Sequence, residues 1–222
     1  MIGREPNRGL AWDGGALREA LAESATWVEA HAEALNALNV FPVPDGDTGY
    51  NLARALRAAA EEATRAPSDS LGDVATSMAR GALMCPSAGN SGNVLAGLLR
   101  GMASQLEGSA AAGPLEMAKA LREGANAAYN ALERPVEGTI LTVARCAADG
   151  AEQAANSGGN LLDVLEAAER SARLAVAQTP ELLPILKEAK VVDAGGEGYR
   201  VFLEGLGFYA RGEPVPAEEV PV

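Results

Sequence analysis

Two carboxylates stand close together in the first quarter of the chain, Asp45 and Asp47, separated only by Gly46. Gly46 allows the tight turn that would aim both side chains at one point, and Pro42 and Pro44 stiffen the approach. Two like charges held together repel each other unless a cation neutralises them, and carboxylate oxygens suit a hard divalent ion. The run lacks the further acidic positions and the terminal Glu of a calcium-binding EF-hand loop. From these residues alone, a metal site and a helix-capping aspartate in a solvated turn both stay open.

Three further loops are rich in glycine and small polar residues, at 89–92, 137–140 and 192–196. Each stands where a helix is expected to begin, so its backbone N–H groups would be free to bind an anion such as a phosphate group. Glycine-rich helix entries are common, and each loop alone is a weak signal. Together with the D-G-D loop, they could gather at one mouth of a helical bundle and form a single site.

The elements that must position these loops are expected to be helices. Hydrophobic residues make up 48% of the chain but aromatic residues only 4%, and the apolar mass is mostly Ala, Leu and Val. Ala and Leu lose little side-chain freedom in a helix, whereas strands favour β-branched and aromatic residues. Eight helical stretches are expected, at about 13–38, 50–64, 71–84, 92–106, 114–132, 135–155, 160–178 and 198–211, with a short extension starting at Thr179-Pro180. The prediction is an all-α, up-and-down antiparallel bundle that forms one domain over 1–222, with its core at about 10–212.

The charge balance excludes some partners. A formal net charge of −12 argues against a nucleic-acid or anionic-membrane surface, since both favour Lys and Arg. The chain has only three lysines, Lys119, Lys187 and Lys190, so a polyphosphate ligand would need another cation, and a divalent metal is the obvious one. Cys85 and Cys146 are too few for a disulfide framework. Because no apolar run is long enough for a membrane span and no signal-peptide core is visible, the protein is expected to be cytoplasmic.

Known motif sets narrow the chemistry further. The chain contains no P-loop sequence, no protein-kinase motif set and no Cys/His cluster for zinc. Its one histidine, His31, falls within the first expected helix, where an ordinary, partly buried residue is the favoured interpretation. A histidine-based triad is therefore excluded, and a covalent histidine link to a substrate is disfavoured.

The run N-V-F-P-V-P-D-G-D-T-G-Y-N at 39–51 resembles the nucleotide-binding (DhaL-type) domain of the dihydroxyacetone kinase superfamily. Three more runs carry the resemblance in the same order: L-M-C-P-S-A-G-N-S-G at 83–92, R-P-V-E-G-T-I-L-T-V-A-R at 134–145, and L-K-E-A-K-V-V-D-A-G-G-E-G-Y at 186–199. The chain is most similar to the branch found at the N-terminus of bacterial fatty acid kinases.

The resemblance implies an eight-helix antiparallel barrel that binds ATP or ADP at one end, with two Mg²⁺ ions bridging the phosphates. It matches the metal ligands to Asn39, Asp45 and Asp47; glycolytic members have an Asp in place of Asn39. The nucleotide-binding positions that it matches are Thr48, Gly49, Asn51, Asn90, Ser91 and Gly92 around the phosphates, Thr139 and Ile140 near the base, and Asp193, Ala194 and Gly195 in the loop that closes the site. No catalytic residue is assigned.

Two departures from the family pattern concern positive charge. Fatty acid kinases usually carry G-A-R-G-N-S-G where this chain has C-P-S-A-G-N-S-G, so an arginine is missing and the loop is one residue longer. The arginine that glycolytic members have before the D-x-G loop is also absent. Arg54, Arg100 and Arg200 are the candidates to replace these charges.

The function that the resemblance implies is that of a kinase domain or subunit, which passes the γ-phosphate of Mg-ATP to an acceptor held on a partner protein. The favoured acceptor is a fatty acid carboxylate on a fatty-acid-binding protein, giving an acyl phosphate. The first alternative is the nucleotide-binding subunit of dihydroxyacetone (glycerone) kinase, working with a triose-binding kinase subunit. The second is a non-catalytic, nucleotide-binding regulatory module. Activity is expected to need the partner or further domains, and a homodimer is compatible with the resemblance.

Overall fold

The computed structural model describes residues 10–86 and 88–216, which form eight long helices and two short ones. Their bounds are α1 Gly14–Ala30, α2 Ala32–Ala37, α3 Thr48–Ala63, α4 Leu71–Leu83, α5 Gly89–Leu106, α6 Pro114–Asn130, α7 Ile140–Asn156, α8 Leu161–Leu182, α9 Pro184–Ala189 and α10 Ala194–Arg211. In these ranges the only pairing of extended residues is one isolated bridge, between Trp12 and Ala112. The all-α prediction is confirmed.

The eight long helices form a closed ring. α1 packs on α3, the ring continues through α4, α5, α6, α7 and α8 to α10, and α10 packs back on α1. Successive helices joined by short connections run antiparallel, so α3, α5, α7 and α10 all begin at the same end of the ring. The predicted eight-helix antiparallel barrel is confirmed, with α2 and α9 as short additions in the connections.

Small residues allow the helices of the ring to approach each other closely. The core consists mainly of alanine, leucine and valine from all the long helices. Where α5 meets α6, a Cβ added at Gly101 would lie only 2.7 Å from the Cα of Gly124. At the end where α10 finishes, the rings of Trp12 and Tyr209 meet edge to face at 5.4 Å and tie the N-terminal segment to the last helix.

The first expected helix is divided in two at His31. α1 ends at Ala30 and α2 begins at Ala32, and the N–H of His31 still donates to the carbonyls of Trp27 and Val28. The His31 side chain is 9% exposed, with Nδ1 2.8 Å from the Trp27 carbonyl oxygen. His31 was expected to be an ordinary, partly buried residue within the first helix; it is buried, but it lies at the break between α1 and α2.

The prediction that a short helical extension starts at Thr179-Pro180 is wrong. Pro180 lies inside α8, which continues to Leu182. Proline lacks the N–H that would bind the carbonyl four residues earlier, and the Thr179 hydroxyl donates to that carbonyl, of Val176, at 2.7 Å instead. The next helix, α9, begins four residues after Pro180, at Pro184.

The sixth expected helix starts later than predicted, at Ile140 rather than near 135, so residues 131–139 form a loop between α6 and α7. This loop lies at the end of the ring where α7 begins. None of the helices in the described part of the chain is long and apolar enough to cross a membrane.

Candidate functional site

A cleft of about 740 Å³ opens at the end of the ring where α3, α5, α7 and α10 begin. The predicted residues that line it are Asn39, Asp45, Asp47, Thr48, Asn51, Asn90, Ser91, Thr139, Ile140, Asp193 and Gly195. Gly49, Gly92 and Ala194 are buried and do not line it. The four loops that the sequence analysis singled out therefore meet around one cavity.

Asp45 and Asp47 flank the turn at Gly46, whose φ of +67° lies in the left-handed region that favours glycine. Asp45 is exposed and Asp47 half-buried. Within residues 10–86 and 88–216, neither carboxylate has a hydrogen-bond or ion-pair partner. The same residues contain no group of three or more His, Cys, Asp or Glu side chains that could hold a metal ion. Two carboxylates among neutral oxygens suit a divalent cation that takes its other ligands from water or phosphate.

Asn39 fixes the loop that carries these carboxylates. Its Oδ1 accepts the N–H of Asp47 at 3.2 Å, the N–H of Thr48 at 3.1 Å and the Thr48 hydroxyl at 2.7 Å. Its Nδ2 donates to the carbonyl of Val43 at 2.9 Å. The side chain is 7% exposed. Asn39 therefore joins the first turn of α3 to the loop before it.

Asn36 completes the cap on α3. Its Oδ1 accepts the N–H of Gly49 at 2.8 Å and the N–H of Tyr50 at 3.4 Å. The N–H groups of the first turn of α3, which a helix leaves without internal partners, are thus satisfied by two asparagines. They are not free to bind an anion.

Among the described residues, no side chain caps the start of α5 in this way. The N–H groups of Gly89, Asn90 and Ser91 have no acceptor in the described chain, and the first bond of the helix runs from Gly92 N–H to the Ala88 carbonyl at 3.0 Å. Ala88, at the N-cap position, has no side-chain acceptor. Free N–H groups at a helix start, together with the helix dipole, favour binding of an anion. Of the two helix starts beside the carboxylates, those of α3 and α5, only the start of α5 has backbone N–H groups available to bind an anion.

The Asn51 side chain packs against Gly89 at the start of α5. Gly89 has a φ of +58°, and a Cβ at this position would overlap the Asn51 side-chain amide. Asn51 is 3% exposed, and its Oδ1 accepts from the Arg54 guanidinium at 2.7 Å. The close packing of Gly89 on Asn51 links the α5 start to α3.

Thr139 caps α7 at the opposite side of the cleft. Its hydroxyl donates to the carbonyl of Val136 at 2.7 Å and accepts the N–H of Leu141 at 3.4 Å. Because the hydroxyl is engaged in these two bonds, it fixes the end of the loop between α6 and α7.

The Asp193 carboxylate caps α10 and reaches α7. It accepts the N–H of Gly196 at 2.7 Å and the N–H of Ile140. The backbone N–H of Asp193 donates to the Thr179 hydroxyl at 3.0 Å. Burial raises the pKa of Asp193 to about 6, although both backbone hydrogen bonds act in the opposite direction. Asp193 therefore holds its proton to a higher pH than an exposed aspartate.

Residues 42–207 match the family model of the DAK2 domain. The chain belongs to the DAK2 domain family. This confirms the predicted membership of the dihydroxyacetone kinase superfamily, whereas the link to the fatty acid kinase branch stays a prediction.

The DAK2 domain has longer relatives. It is 40% identical to protein YloV of Bacillus subtilis over 208 residues, which cover 94% of this chain and 37% of YloV. It is 36% identical to an uncharacterised protein of Staphylococcus saprophyticus over 206 residues, which cover 93% of this chain and 37% of that protein. The chain thus spans little more than a third of the length of these relatives.

The DAK2 domain is also similar in structure to the dihydroxyacetone kinase of C. freundii. The native enzyme aligns with a TM-score of 0.68 over 93% of this chain and 37% of that chain. The same kinase in complex with AMP-PNP and Mg²⁺ aligns with a TM-score of 0.64 over 93% of this chain and 36% of that chain. At 17% sequence identity in both cases, this likeness shows a shared fold.

The cleft of this DAK2 domain has an apolar side that the sequence analysis missed. Val94, Gly97, Ala128, Leu132 and Leu141 form it, between α5, α6 and the start of α7. Their types and spacing are those of ordinary helix residues, so no sequence signal separates them from the core. Only the ring geometry assigns them to a cavity.

The arginine that lines the cleft is not one of the three that the sequence suggested. None of the three arginines considered as replacements lines it. Arg200 is buried among Glu169, Glu197 and Glu204 on the outer side of α10 and α8. Arg54 donates to Asn51, and Arg100 is exposed further along α5. Among the described residues, Arg134 is the only lysine or arginine that lines the cleft, and it lies in the loop between α6 and α7.

Proposed function

We propose that the chain binds a magnesium nucleotide in this cleft and transfers the terminal phosphate to an acceptor held by a partner protein. One observation carries the proposal: the carboxylates of Asp45 and Asp47 line the same cavity as Gly89, Asn90 and Ser91 at the start of α5. Among the described residues, neither these carboxylates nor the N–H groups of this helix start have a partner. Carboxylates suit Mg²⁺ and helix N–H groups suit phosphate oxygens. The complex of the similar C. freundii kinase with AMP-PNP and Mg²⁺ supports the assignment.

Asp45 and Asp47 would hold the Mg²⁺, which when bound neutralises charge on the phosphate oxygens. Asn39 stays the predicted third ligand. Its Oδ1 already accepts three hydrogen bonds, so a metal ion would compete with these donors for the same oxygen. The count of two ions also stays a prediction.

The rest of the cleft would align the nucleotide. The N–H groups of Gly89, Asn90 and Ser91 would bind phosphate oxygens, and the apolar side with Thr139 and Ile140 would take the base. Thr48, Gly49, Asn51 and Gly92 would support the phosphate side, and Asp193, Ala194 and Gly195 would close the site. Phosphoryl transfer depends mainly on alignment and charge neutralisation, so no side chain of this chain is proposed as a nucleophile or base.

The acceptor proposed is a fatty acid carboxylate carried by a fatty-acid-binding protein, which would yield an acyl phosphate. The four motif runs at 39–51, 83–92, 134–145 and 186–199 support this branch. The triose of a dihydroxyacetone kinase subunit is the second candidate acceptor, favoured by the structural likeness to the C. freundii enzyme. In the regulatory-module alternative the cleft would bind nucleotide without transfer. A homodimer and a cytoplasmic location stay predictions.

Isothermal titration of the wild-type chain with ATP, in Mg²⁺ and in EDTA, tests the nucleotide site. Binding that requires Mg²⁺ is expected, because the two carboxylates repel the phosphates when no cation lies between them. Equal binding in both buffers would reject the metal assignment, and no binding in either would reject the nucleotide site.

ADP release from Mg-ATP tests the acceptor, with free dihydroxyacetone in one reaction and a lipid-loaded carrier protein in another. Release with the carrier alone supports the fatty-acid branch. Release with free dihydroxyacetone alone would reject that branch and keep the nucleotide site. Tight ATP binding without release in either reaction favours the regulatory module.

A further inference from the structure

The cleft carries an excess of negative charge before any ligand enters. Asp45, Asp47 and Asp193 line it, and the formal net charge of the whole chain is −12. A nucleotide triphosphate brings several further negative charges. Backbone N–H groups at the α5 start supply only partial positive charge. A full positive charge on the protein side is therefore valuable at this site.

Arg134 is the only lysine or arginine that lines the cleft within residues 10–86 and 88–216. It lies in the loop between α6 and α7, and its side chain is exposed. This loop is fixed at its end by the Thr139 hydroxyl, which bonds to the carbonyl of Val136 at 2.7 Å. Arg134 thus lies on an anchored loop and lines the same cavity as the two carboxylates.

Arg134 differs from nearly all other described arginines because none of the described residues binds its side chain. The arginines that form ion pairs are Arg18, Arg57, Arg65, Arg80, Arg122, Arg145, Arg170, Arg173, Arg200 and Arg211. Arg54 donates to Asn51 and to the Tyr50 carbonyl. In the described ranges this leaves Arg100 and Arg134 without an acceptor, and only Arg134 lines the cleft.

We propose that Arg134 binds the β- and γ-phosphate groups of the nucleotide in this cleft. The assignment rests on the proposed function and deepens it by naming a phosphate-binding side chain. A guanidinium is charged at every accessible pH and its fork of N–H groups matches two phosphate oxygens at once. Its positive charge would offset the negative charge of the phosphates and of Asp45, Asp47 and Asp193. Its position beside the apolar residues Leu132 and Val136 allows one rival role, stacking on the base, which the test separates.

The test compares Arg134→Ala with Arg100→Ala in titrations with ATP, ADP and AMP at saturating Mg²⁺. Arg100 is a matched control because it is also exposed and without an acceptor in the described chain but does not line the cleft. Loss of a hydrogen-bonded charge pair should weaken ATP binding roughly 10- to 100-fold in Arg134→Ala. The loss should shrink from ATP to AMP as phosphates are removed. Arg134→Lys should recover part of the affinity, because it keeps the charge and loses the fork.

Four outcomes decide the matter. A graded loss in Arg134→Ala, with Arg100→Ala unchanged, supports the assignment. An equal loss for all three nucleotides would show that Arg134 does not bind the β- and γ-phosphates, and would overturn the assignment. Unchanged affinities in Arg134→Ala, when the wild-type chain binds Mg-ATP, would also overturn it. In both cases the nucleotide site stands. A wild-type chain that binds no nucleotide would overturn the proposed function, and this assignment with it.

Discussion

Asn39 and Thr48 are joined by two hydrogen bonds to one acceptor: Oδ1 of Asn39 accepts the Thr48 N–H at 3.1 Å and the Thr48 hydroxyl at 2.7 Å. The same side chain binds the N–H of Asp47 and the carbonyl of Val43. The D-G-D loop is therefore held by neutral groups. The negative charge of its carboxylates is left for a ligand, which is the basis of the first two predictions.

Asp45→Ala and Asp47→Ala should each weaken Mg²⁺-dependent ATP binding and leave the helical circular dichroism unchanged. Loss of an outer-shell group already costs metal sites roughly 10- to 100-fold, so a direct ligand should cost at least as much. Without Mg²⁺ neither variant should lower the melting temperature, because the substitution removes a repulsion.

Asp149→Ala is the matched control for these two variants. It removes the same charge from an exposed ion pair with Arg122, outside the cleft. Unchanged ATP affinity in both Asp45→Ala and Asp47→Ala would show that these carboxylates hold no metal. A loss of fold in either would point to a structural role instead.

Asn39→Asp should increase the gain in melting temperature that Mg²⁺ produces in the absence of nucleotide. Aspartate keeps the acceptor for the start of α3 but cannot donate to the carbonyl of Val43, which should cost about 1–3 kcal/mol in the absence of metal. A third carboxylate in the cleft should then raise the melting-temperature gain with Mg²⁺ above that of wild type.

Asn36→Asp controls for the cap itself, because Asn36 also binds the first turn of α3 but does not line the cleft. It should show the Mg²⁺ response of the wild-type protein. If Asn39→Asp and Asn36→Asp respond equally to Mg²⁺ in thermal melts, Asn39 does not face the metal.

Gly89→Ala should weaken nucleotide binding, whereas Gly158→Ala should not. Both glycines have positive φ, +58° and +84°, so each substitution should cost about 1–2 kcal/mol of stability through backbone strain. Only at Gly89 would the added Cβ also overlap a neighbour, the Asn51 amide, and displace the start of α5; at Gly158 the space is open. Titration with Mg-ATP and chemical denaturation measure the two effects. Equal ATP affinities in the two variants would show that the α5 start does not bind phosphate.

Asp193 should make the apo protein less stable as the pH rises from about 4 to about 6. Burial raises its pKa from 3.8 to about 6 in the folded state, so between these values the unfolded chain has lost a proton that the folded chain keeps. The free energy of unfolding therefore falls with rising pH over this window, by roughly 3 kcal/mol, and levels off above it.

Asp193→Asn should remove this contribution, because its amide oxygen can still cap α10 but does not titrate. Denaturation curves of both proteins between pH 4 and pH 7 measure the difference. The lowered pKa values of Glu62, Glu137 and Glu204 have the opposite effect on stability and are common to both proteins. Parallel stability profiles for wild type and variant would contradict the prediction.

The sequence by itself determined the long helices, to within several residues at their ends, and the four loops that border the cleft. Alanine-rich composition, the caps Asp13 and Asn160 and the N-terminal proline Pro114 act within one or two helical turns, so they are legible without the fold. The D-G-D loop was legible for the same reason, because two carboxylates around a glycine are adjacent in the chain. The resemblance of the four motif runs added the family, which the match over 42–207 confirms.

Only the tertiary structure decided which of these groups are free to act. The start of α3 and the start of α5 look alike in sequence, but Asn36 and Asn39 occupy the N–H groups of α3, and no described group occupies those of α5. Arg134 begins one of the four motif runs, but its sequence does not show that it lines the same cavity as the carboxylates or that it has no ion-pair partner in the described chain. Each distinction depends on which groups meet in the folded chain: the caps of α3 come from residues 9 and 13 positions earlier, and the cleft is formed by loops from different parts of the chain. Helix propensity and local spacing carry no information about such contacts, because these are set by how the eight helices close into a ring.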